Sequence, residues 1–253
     1  MTAIDATPGT SAPAVVRAAA VLNLIAAAEG DPPRISELSR KLALPKSSTL
    51  NILSALTETG LVRRLGGGYA LGPTLVDLAS AFLRHEDPVQ RFREFVPALA
   101  TASQETVQLA MLNGPDVLYL ARHDGNQPIT LTSIVGKRLP ATCTALGKVM
   151  LSALERPALE EILVEPLRQL TLRSHATLES LIADLKATSE RGYAIDDEEA
   201  AANVVCLAVA VPGRSGQGAY AVSTTIFKDR LTPDLERPLV EDLTKLASYL
   251  STI

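Results

Sequence analysis

The sequence predicts an α+β fold in two parts: a small N-terminal module of three helices and a β-hairpin, and a larger C-terminal α+β domain with an antiparallel sheet. Three short amphipathic segments and a glycine-centred pair of β-prone runs occupy the first third of the 253 residues. Further along, neighbouring strand patterns joined by turn residues alternate with separate helical patterns. This order is typical of hairpins and not of a doubly wound parallel sheet.

Composition separates the two parts by charge. Hydrophobic residues make up 47% of the chain and charged residues 21%, which favours packed cores over disorder. The net charge is −4, yet residues 11–71 hold seven Lys or Arg against four Asp or Glu, so this segment is +3 and the remainder is −7. A basic module on an acidic body indicates a protein that contacts phosphates at one end.

Several classes of protein are not expected. Two cysteines, Cys143 and Cys206, are too few for a disulfide framework, which favours the cytoplasm. Residues 1–12 lack Lys and Arg and predict a disordered tail and not a signal peptide. The apolar run 14–28 is too short to span a bilayer and is interrupted by Arg17, so no membrane partner is expected. The chain shows no metal-ligand spacing, and we expect no cofactor and no metal.

Residues 13–73 predict a winged helix-turn-helix. Apolar residues at helical spacing predict one helix that ends near Gly30, a second from Ser36 to Ala43 and a third that ends at Gly60. Only Leu44-Pro45 separates the second helix from the third, as in a helix-turn-helix. The following run LVRRLGGGYAL has two β-prone halves around glycines, which predicts a two-stranded wing.

The outward face of the third helix is short and polar, which suits a recognition helix whose N-terminal residues enter the major groove of double-stranded DNA. Asn51 can bond an adenine with two hydrogen bonds, and the arginines of the wing can hold the flanking backbone. The alternative is a merely solvated helix face, but the order of the elements favours DNA binding. The predicted DNA-binding residues are Ser36, Lys46, Ser47, Ser48, Asn51, Arg63 and Arg64.

Residues 74–87 predict a linker helix, although the same pattern fits the first helix of the next domain. Residues 88–253 then predict the α+β domain, with a helix over 89–103, a hairpin TVQLAML-NGPD-VLYLARH and a third strand near Ile129. Further helices are predicted from Cys143, over 178–191 and over 232–251. Two more strands, NVVCLAVAVP and AYAVSTTIF, flank the glycine-rich turn GRSGQG.

Alternation along these last two strands predicts the floor of a pocket. One face carries valines and leucines and is an ordinary core face, whereas the other is small and polar and carries Cys206, Ser223 and Thr225. Backbone amides at the start of the helix after Thr144 can hold an anion. Asp196, in the run IDDEE that is predicted to form an acidic loop, is a further candidate. The alternatives are ordinary surface or satisfied core positions and a solvated acidic loop.

Three segments resemble the isocitrate lyase regulator (IclR) family: ISELSRKLALPKSSTLNILSALTETGLVRR, RLPATCTALGKVMLSAL and RGYAIDDEEAAANVVCLAVAVPG. The resemblance implies a GAF-like domain that binds an effector and assembles the protein as a homodimer or homotetramer. It also implies an effector site at Ala145, Leu146, Asp196, Cys206, Ser223 and Thr225. Leu50-Asn51 replaces the usual His-Arg of the family, so the operator preference of relatives does not carry over. Asn203 replaces a usual glycine beside the site.

The leading hypothesis is therefore a transcriptional regulator and not an enzyme, with repression as the commoner outcome in the family. It would bind a pseudo-palindromic operator under the control of a small organic carboxylate, with an aromatic acid as the alternative. One rival is a thiol-dependent enzyme that uses Cys206, which needs a base that the sequence does not offer. Another is a DNA-binding head on a dimerisation domain that binds no ligand.

Overall fold

The computed structural model describes residues 12–85, 87–126, 134–213 and 220–251. The chain divides into two compact units, Met1–His85 and Glu86–Ile253. Within the described ranges, no helix combines the length and the hydropathy that a bilayer span requires. Residues 1–11, most of the predicted turn GRSGQG and the strand predicted near Ile129 lie outside the described residues.

In its described residues, the first unit is a three-helix module with a two-stranded wing, followed by a fourth helix. Its elements are α1 (Pro13–Ala26), α2 (Ile35–Lys41), α3 (Lys46–Glu58), β1 (Val62–Leu65), β2 (Gly68–Leu71) and α4 (Thr74–His85). The apolar stripe predicted for α3 faces inward, with Leu53 and Leu56 in a core that also includes Val21 and Leu38. Gly60 has φ +70°, the left-handed conformation that ends a helix most easily at glycine.

In the part of the second unit that the structure describes, six strands form one antiparallel sheet in the order β5-β4-β3-β8-β7-β6. Its strands are β3 (Thr106–Asn113), β4 (Asp116–His123), β5 (Arg138–Pro140), β6 (Ala194–Asp197), β7 (Val204–Val211) and β8 (Tyr220–Phe227). Its helices are α5 (Asp87–Phe95), α6 (Ala145–Leu151), α7 (Arg156–Ile162), α8 (Leu178–Arg191) and α9 (Pro233–Leu250). The predicted fold class is confirmed.

The two faces of the sheet differ as the alternation predicts. Ala110, Ala208 and Ala221 lie on one face and pack in a core cluster with α6, α7 and α8. The opposite face carries the larger aliphatic side chains of β7 and β8 and packs against α9. Small residues under α6 leave space between the helix and the sheet, and this space positions the site described below.

Two predictions of local structure are wrong. The helix predicted over 89–103 ends at Phe95 and continues only as two single 3₁₀ turns, because Pro97 cannot donate a helical hydrogen bond and Leu99 is extended. The run IDDEE is not simply a loop: Ala194–Asp197 forms the edge strand β6, whose Asp196 pairs with Cys206 of β7. The strand that pairs with β4 in the described residues is Arg138–Pro140.

Candidate functional site

A cavity lies between the small face of the sheet and the start of α6, and all six residues predicted for effector binding line it: Ala145, Leu146, Asp196, Cys206, Ser223 and Thr225. The cavity is small, about 30 Å³, and it opens to solvent. The sequence interpretation missed other lining residues, namely Gln108, Tyr119, Leu139, Thr144, Ala200, Ala201 and Val204. The wall is mostly apolar and carries a few polar groups that point inward, as small-molecule sites do.

The floor of the cavity is a row of polar side chains across the sheet. Asp196 pairs with Cys206, and Cys206 pairs with Thr225 on the next strand. The Cys206 Sγ lies 3.4 Å from the Thr225 Oγ1, which donates to the Gln108 Oε1, also at 3.4 Å. The neighbouring Ser223 is 1% exposed, and its Oγ has no hydrogen-bond partner among the described residues. An unsatisfied buried hydroxyl is costly, so this hydroxyl is available to a ligand.

The start of α6 forms the opposite wall. The Thr144 Oγ1 caps the helix by accepting the Gly147 N–H at 3.0 Å. The amides of Ala145 and Leu146 belong to the first turn, where a helix has no carbonyl of its own to accept them. A Cβ at Gly147 would lie 2.1 Å from the Ala141 carbonyl oxygen, so only glycine lets the helix approach the preceding turn this closely.

Asp196 is buried, with 2% of its surface exposed. Its Oδ1 accepts the Glu199 N–H at 2.8 Å and the Ala200 N–H at 3.2 Å. These bonds favour the carboxylate, but burial and the negative charge of Glu199 outweigh them and raise the pKa of Asp196 to about 7. This carboxyl group therefore changes its charge close to neutral pH.

Next to the cavity lies a partly buried charge cluster that the sequence interpretation missed. Lys148 of α6 is 1% exposed and donates to Asp184 at 2.6 Å and to Glu199. Burial alone would lower the pKa of Lys148, but the two carboxylates outweigh burial and raise it. The His175 Nε2 lies 3.3 Å from the Asp184 Oδ2. The pKa of Asp184 falls to about 2, because hydrogen bonds from His175 and Lys148 outweigh burial.

His175, Asp184 and Glu199 present ligand atoms within 4.8 Å of one another, the kind of group that can hold a metal ion. However, the Lys148 ammonium already lies within hydrogen-bonding distance of both carboxylates and supplies the positive charge between them. We therefore interpret the cluster as an ion-pair network and not as a metal centre.

The environment of Cys206 disfavours a nucleophile. Burial and the nearby Asp196 raise the pKa of the Cys206 thiol well above its ordinary value of 9.0. A thiolate nucleophile requires the opposite shift, as produced by a neighbouring cation or helix terminus. His123 contacts the Ser103 carbonyl and His175 belongs to the charge cluster, so neither contacts this thiol as a base.

The first unit presents a concave basic surface between the starts of α2 and α3 and the wing. Ser36, Lys46 and Arg64 line it together, as do two residues that the sequence interpretation missed, Arg34 and Leu50. The other four predicted DNA-binding residues do not line this concavity: Ser47, Ser48, Asn51 and Arg63. Of these four, Ser48 is half-buried and the others are exposed.

The wing arginines are both anchored. The Arg63 Nε donates to the Leu71 carbonyl at 3.3 Å, and the Arg64 guanidinium lies 5.4 Å from the centre of the Tyr69 ring. These contacts orient cations beside the helix-turn-helix, where phosphates would lie. A winged helix-turn-helix with a basic surface, followed by a domain with a small-molecule cavity, defines the class of ligand-responsive DNA-binding regulators.

Comparison with known proteins identifies the family. Residues 14–66 match the family described as the IclR helix-turn-helix domain, and residues 80–252 match the bacterial transcriptional regulator IclR C-terminal domain. The chain belongs to the IclR family of transcriptional regulators. It is 29% identical to the probable transcriptional regulator SauR of Cupriavidus necator over 233 residues, which cover 91% of this chain and 92% of SauR.

Solved structures agree with this assignment. The repressor BlcR of Agobacterium tumefaciens has 31% identity and a TM-score of 0.61, and the match covers 94% of this chain and 95% of BlcR. An IclR homologue from Microbacterium hydrocarbonoxydans, complexed with 4-hydroxybenzoate, shares the fold with a TM-score of 0.76 at 23% identity, over 94% of this chain and 98% of that one.

These findings confirm the prediction of a transcriptional regulator with an N-terminal DNA-binding helix-turn-helix and a C-terminal effector-binding domain. The matched families and relatives are regulators and not enzymes, so the alternative of a thiol-dependent enzyme at Cys206 has no support.

Proposed function

We propose that this protein is a repressor that binds a pseudo-palindromic operator as a homodimer or homotetramer and responds to a small organic carboxylate. In this proposal, residues 13–73 bind DNA, residues 74–87 link the two parts, and residues 88–253 bind the effector and assemble the protein. Repression is supported by BlcR, a 31% identical relative that is named as a repressor. The protein would act in the cytoplasm, where bacterial operators are found.

The observation that carries the effector site is the unsatisfied Ser223 hydroxyl in a cavity lined by every residue predicted to bind effector. A carboxylate would accept hydrogen bonds from the amides of Ala145 and Leu146 on one side. Ser223, Thr225 and Cys206 would contact it on the other. Tyr119 and Leu139 add an apolar wall that suits a short alkyl chain or a small ring. The 4-hydroxybenzoate complex of a relative with the same fold supports a carboxylate of this size.

On the DNA side, we infer that Ser47, Ser48 and Asn51 face base edges and that Lys46, Ser36, Arg63 and Arg64 hold phosphates. All except the half-buried Ser48 are exposed on the first unit. Effector binding would change DNA affinity only as far as the effector prefers one arrangement of the two DNA-binding heads to another.

The test of the effector site is isothermal titration of the full chain with acetate, pyruvate, benzoate and 4-hydroxybenzoate. We expect at least one of them to bind, and we expect Ser223→Ala and Thr225→Val together to weaken that binding at least tenfold, since each lost hydrogen bond to a charged group costs about 1.5–3 kcal/mol. A matched control is Thr244→Val, at a threonine on α9 whose hydroxyl bonds only its own helix. Failure of all four acids to bind would favour a dimerisation domain without a ligand.

A further inference from the structure

We propose that the cavity takes up one proton with its effector, and that Asp196 contacts a carboxylate ligand as a neutral acid that donates a hydrogen bond. This inference rests on the proposed function, because it concerns the same site. It explains how the site would distinguish a carboxylate from a neutral analogue, since only the carboxylate would need the extra proton.

The charges around the cavity lead to this inference. Among the described lining residues there is one carboxylic acid, Asp196, and no Lys, Arg or His. The nearest cation, Lys148, is already shared by Asp184 and Glu199. Lys148, Asp184, Glu199 and Asp196 place one ammonium among three carboxyl groups, a net charge of −2 when all four groups are ionised. A carboxylate ligand would add a fourth negative charge in a poorly solvated place, which is costly unless one acid is protonated.

The geometry selects Asp196 as the acid that takes the proton. Glu199 is also buried, and burial raises its pKa, but its Oε1 is in direct contact with the Lys148 ammonium, which favours its charged form. Asp184 contacts both Lys148 and His175 and stays ionised. Asp196 has no such cation, and both of its backbone hydrogen bonds end on Oδ1. Oδ2 is therefore the oxygen that can carry a proton.

The groups that face Asp196 from the other elements are compatible with a neutral acid. Glu199 follows it on the chain, Lys148 faces it from α6, Cys206 from β7 and Tyr119 from β4. Burial raises the pKa of both Cys206 and Tyr119, so these two remain neutral and add no charge. With its pKa near 7, Asp196 takes up a proton at small cost.

The proton balance of binding is simple. The ligand enters as a carboxylate, one proton comes from solvent to the Asp196 Oδ2, and the resulting O–H donates to the ligand oxygen. The pair then carries a single negative charge, which the first-turn amides of α6 and the hydroxyls of the floor stabilise. Above the pKa of Asp196, affinity should fall about tenfold per pH unit, because each complex needs one proton that the free protein no longer holds.

The experiment is isothermal titration of the full chain with acetate, pyruvate, benzoate and 4-hydroxybenzoate at pH 6.0, 7.0, 8.0 and 8.5, in buffers of low and high ionisation enthalpy. At pH 8.0 we expect uptake of about 0.9 proton per ligand, from a pKa near 7. Asp196→Asn keeps an oxygen for the two backbone amides and an N–H₂ for the ligand. Whatever its affinity relative to the wild type, we expect the affinity of this variant to vary by less than about twofold between pH 6.0 and 8.5, and its binding to take up no proton. Asp234→Asn, at an exposed position on α9, is the control and should behave as the wild type.

Each outcome supports or overturns the inference. Wild-type binding with constant affinity and no proton uptake overturns it but leaves the effector site in place. Unchanged proton uptake in Asp196→Asn assigns the proton to another group, such as Glu199 or His175, and also overturns it. Failure of the wild type to bind any of the four acids at any pH overturns both proposals. If the variant does not fold, the pH dependence and the proton uptake of the wild type still test the inference.

Discussion

The burial of Asp196 predicts how the stability of the protein depends on pH, without any ligand. An unfolded chain releases this proton near pH 3.8, whereas the folded protein keeps it up to about pH 7. Between these values the folded state binds the extra proton, so its stability falls as pH rises, by about 1.4 kcal/mol per pH unit. The full difference is about 4 kcal/mol, reached above pH 8. Asp196→Asn removes the titrating group, so the variant should gain stability relative to the wild type over this range.

Urea denaturation followed by circular dichroism at pH 5.0, 6.5 and 8.0 measures the difference. Between pH 5.0 and 8.0 the free energy of unfolding of Asp196→Asn should rise by about 3 kcal/mol relative to the wild type, with nearly all of the change below pH 7.5. Asp234→Asn, at an exposed position, should follow the wild type. If the curves of Asp196→Asn and the wild type stay parallel over this range, Asp196 is ionised throughout and the argument from burial is wrong.

Three further predictions follow from the structure. Lys148→Met should lower the free energy of unfolding by about 3–5 kcal/mol in urea denaturation, because it leaves the buried Glu199 and the half-buried Asp184 without their cation. Gly147→Ala should cost about 1–3 kcal/mol, seen as a lower Tm in calorimetry, because its Cβ would overlap the carbonyl oxygen of the preceding turn. Arg63→Ala with Arg64→Ala should weaken binding to all DNA sequences and reduce the salt slope by about one to two, whereas Asn51→Ala should cost about 1–3 kcal/mol at one base position, both measured by fluorescence anisotropy.

The control for Lys148→Met is Arg156→Met, which removes an exposed ion pair with Glu179 and should change stability little. Equal losses in the two variants would contradict the buried network. An unchanged Tm for Gly147→Ala would show that the turn before α6 moves away easily. Equal effects of Asn51→Ala on all sequences would show that this helix does not read bases there.

Alternation along strands makes the cavity floor predictable. Cys206, Ser223 and Thr225 fall on one face by their spacing alone, and the structure places them together. The family resemblance predicts Asp196 as a site residue, but the sequence does not predict the strand that contains it. This strand has only four residues, which are too few to show a clear alternation of buried and exposed positions. Gln108 and Tyr119 also escape prediction. No motif marks Gln108, and the position of Tyr119 depends on a register shift between Leu109 and Ala110 in the pairing of β3 with β4, which no local pattern shows.

The charge cluster could not be predicted from the sequence. Lys148 lies 36 residues from Asp184 and 51 from Glu199, and no spacing rule connects them. The available signal is a lysine within the apolar helical run ALGKVMLSAL. It indicates a buried acidic partner, because a lysine is almost never fully buried without one. On the DNA side, helical periodicity predicts the helices, and the β-prone runs around glycines predict the wing. Neither pattern predicts that Arg34 lines the basic surface, because this depends on where α2 begins relative to the wing.

The most direct test of the whole account is a gel shift of the purified chain on the DNA upstream of its own gene and of the neighbouring genes. It is run at low salt with and without each of the four carboxylic acids, on the wild type and on the variant with Ser223→Ala and Thr225→Val. We expect a specific complex whose affinity changes with one of the acids in the wild type and not in the variant. A chain that binds none of this DNA, or whose DNA binding responds equally in both proteins, would contradict the account.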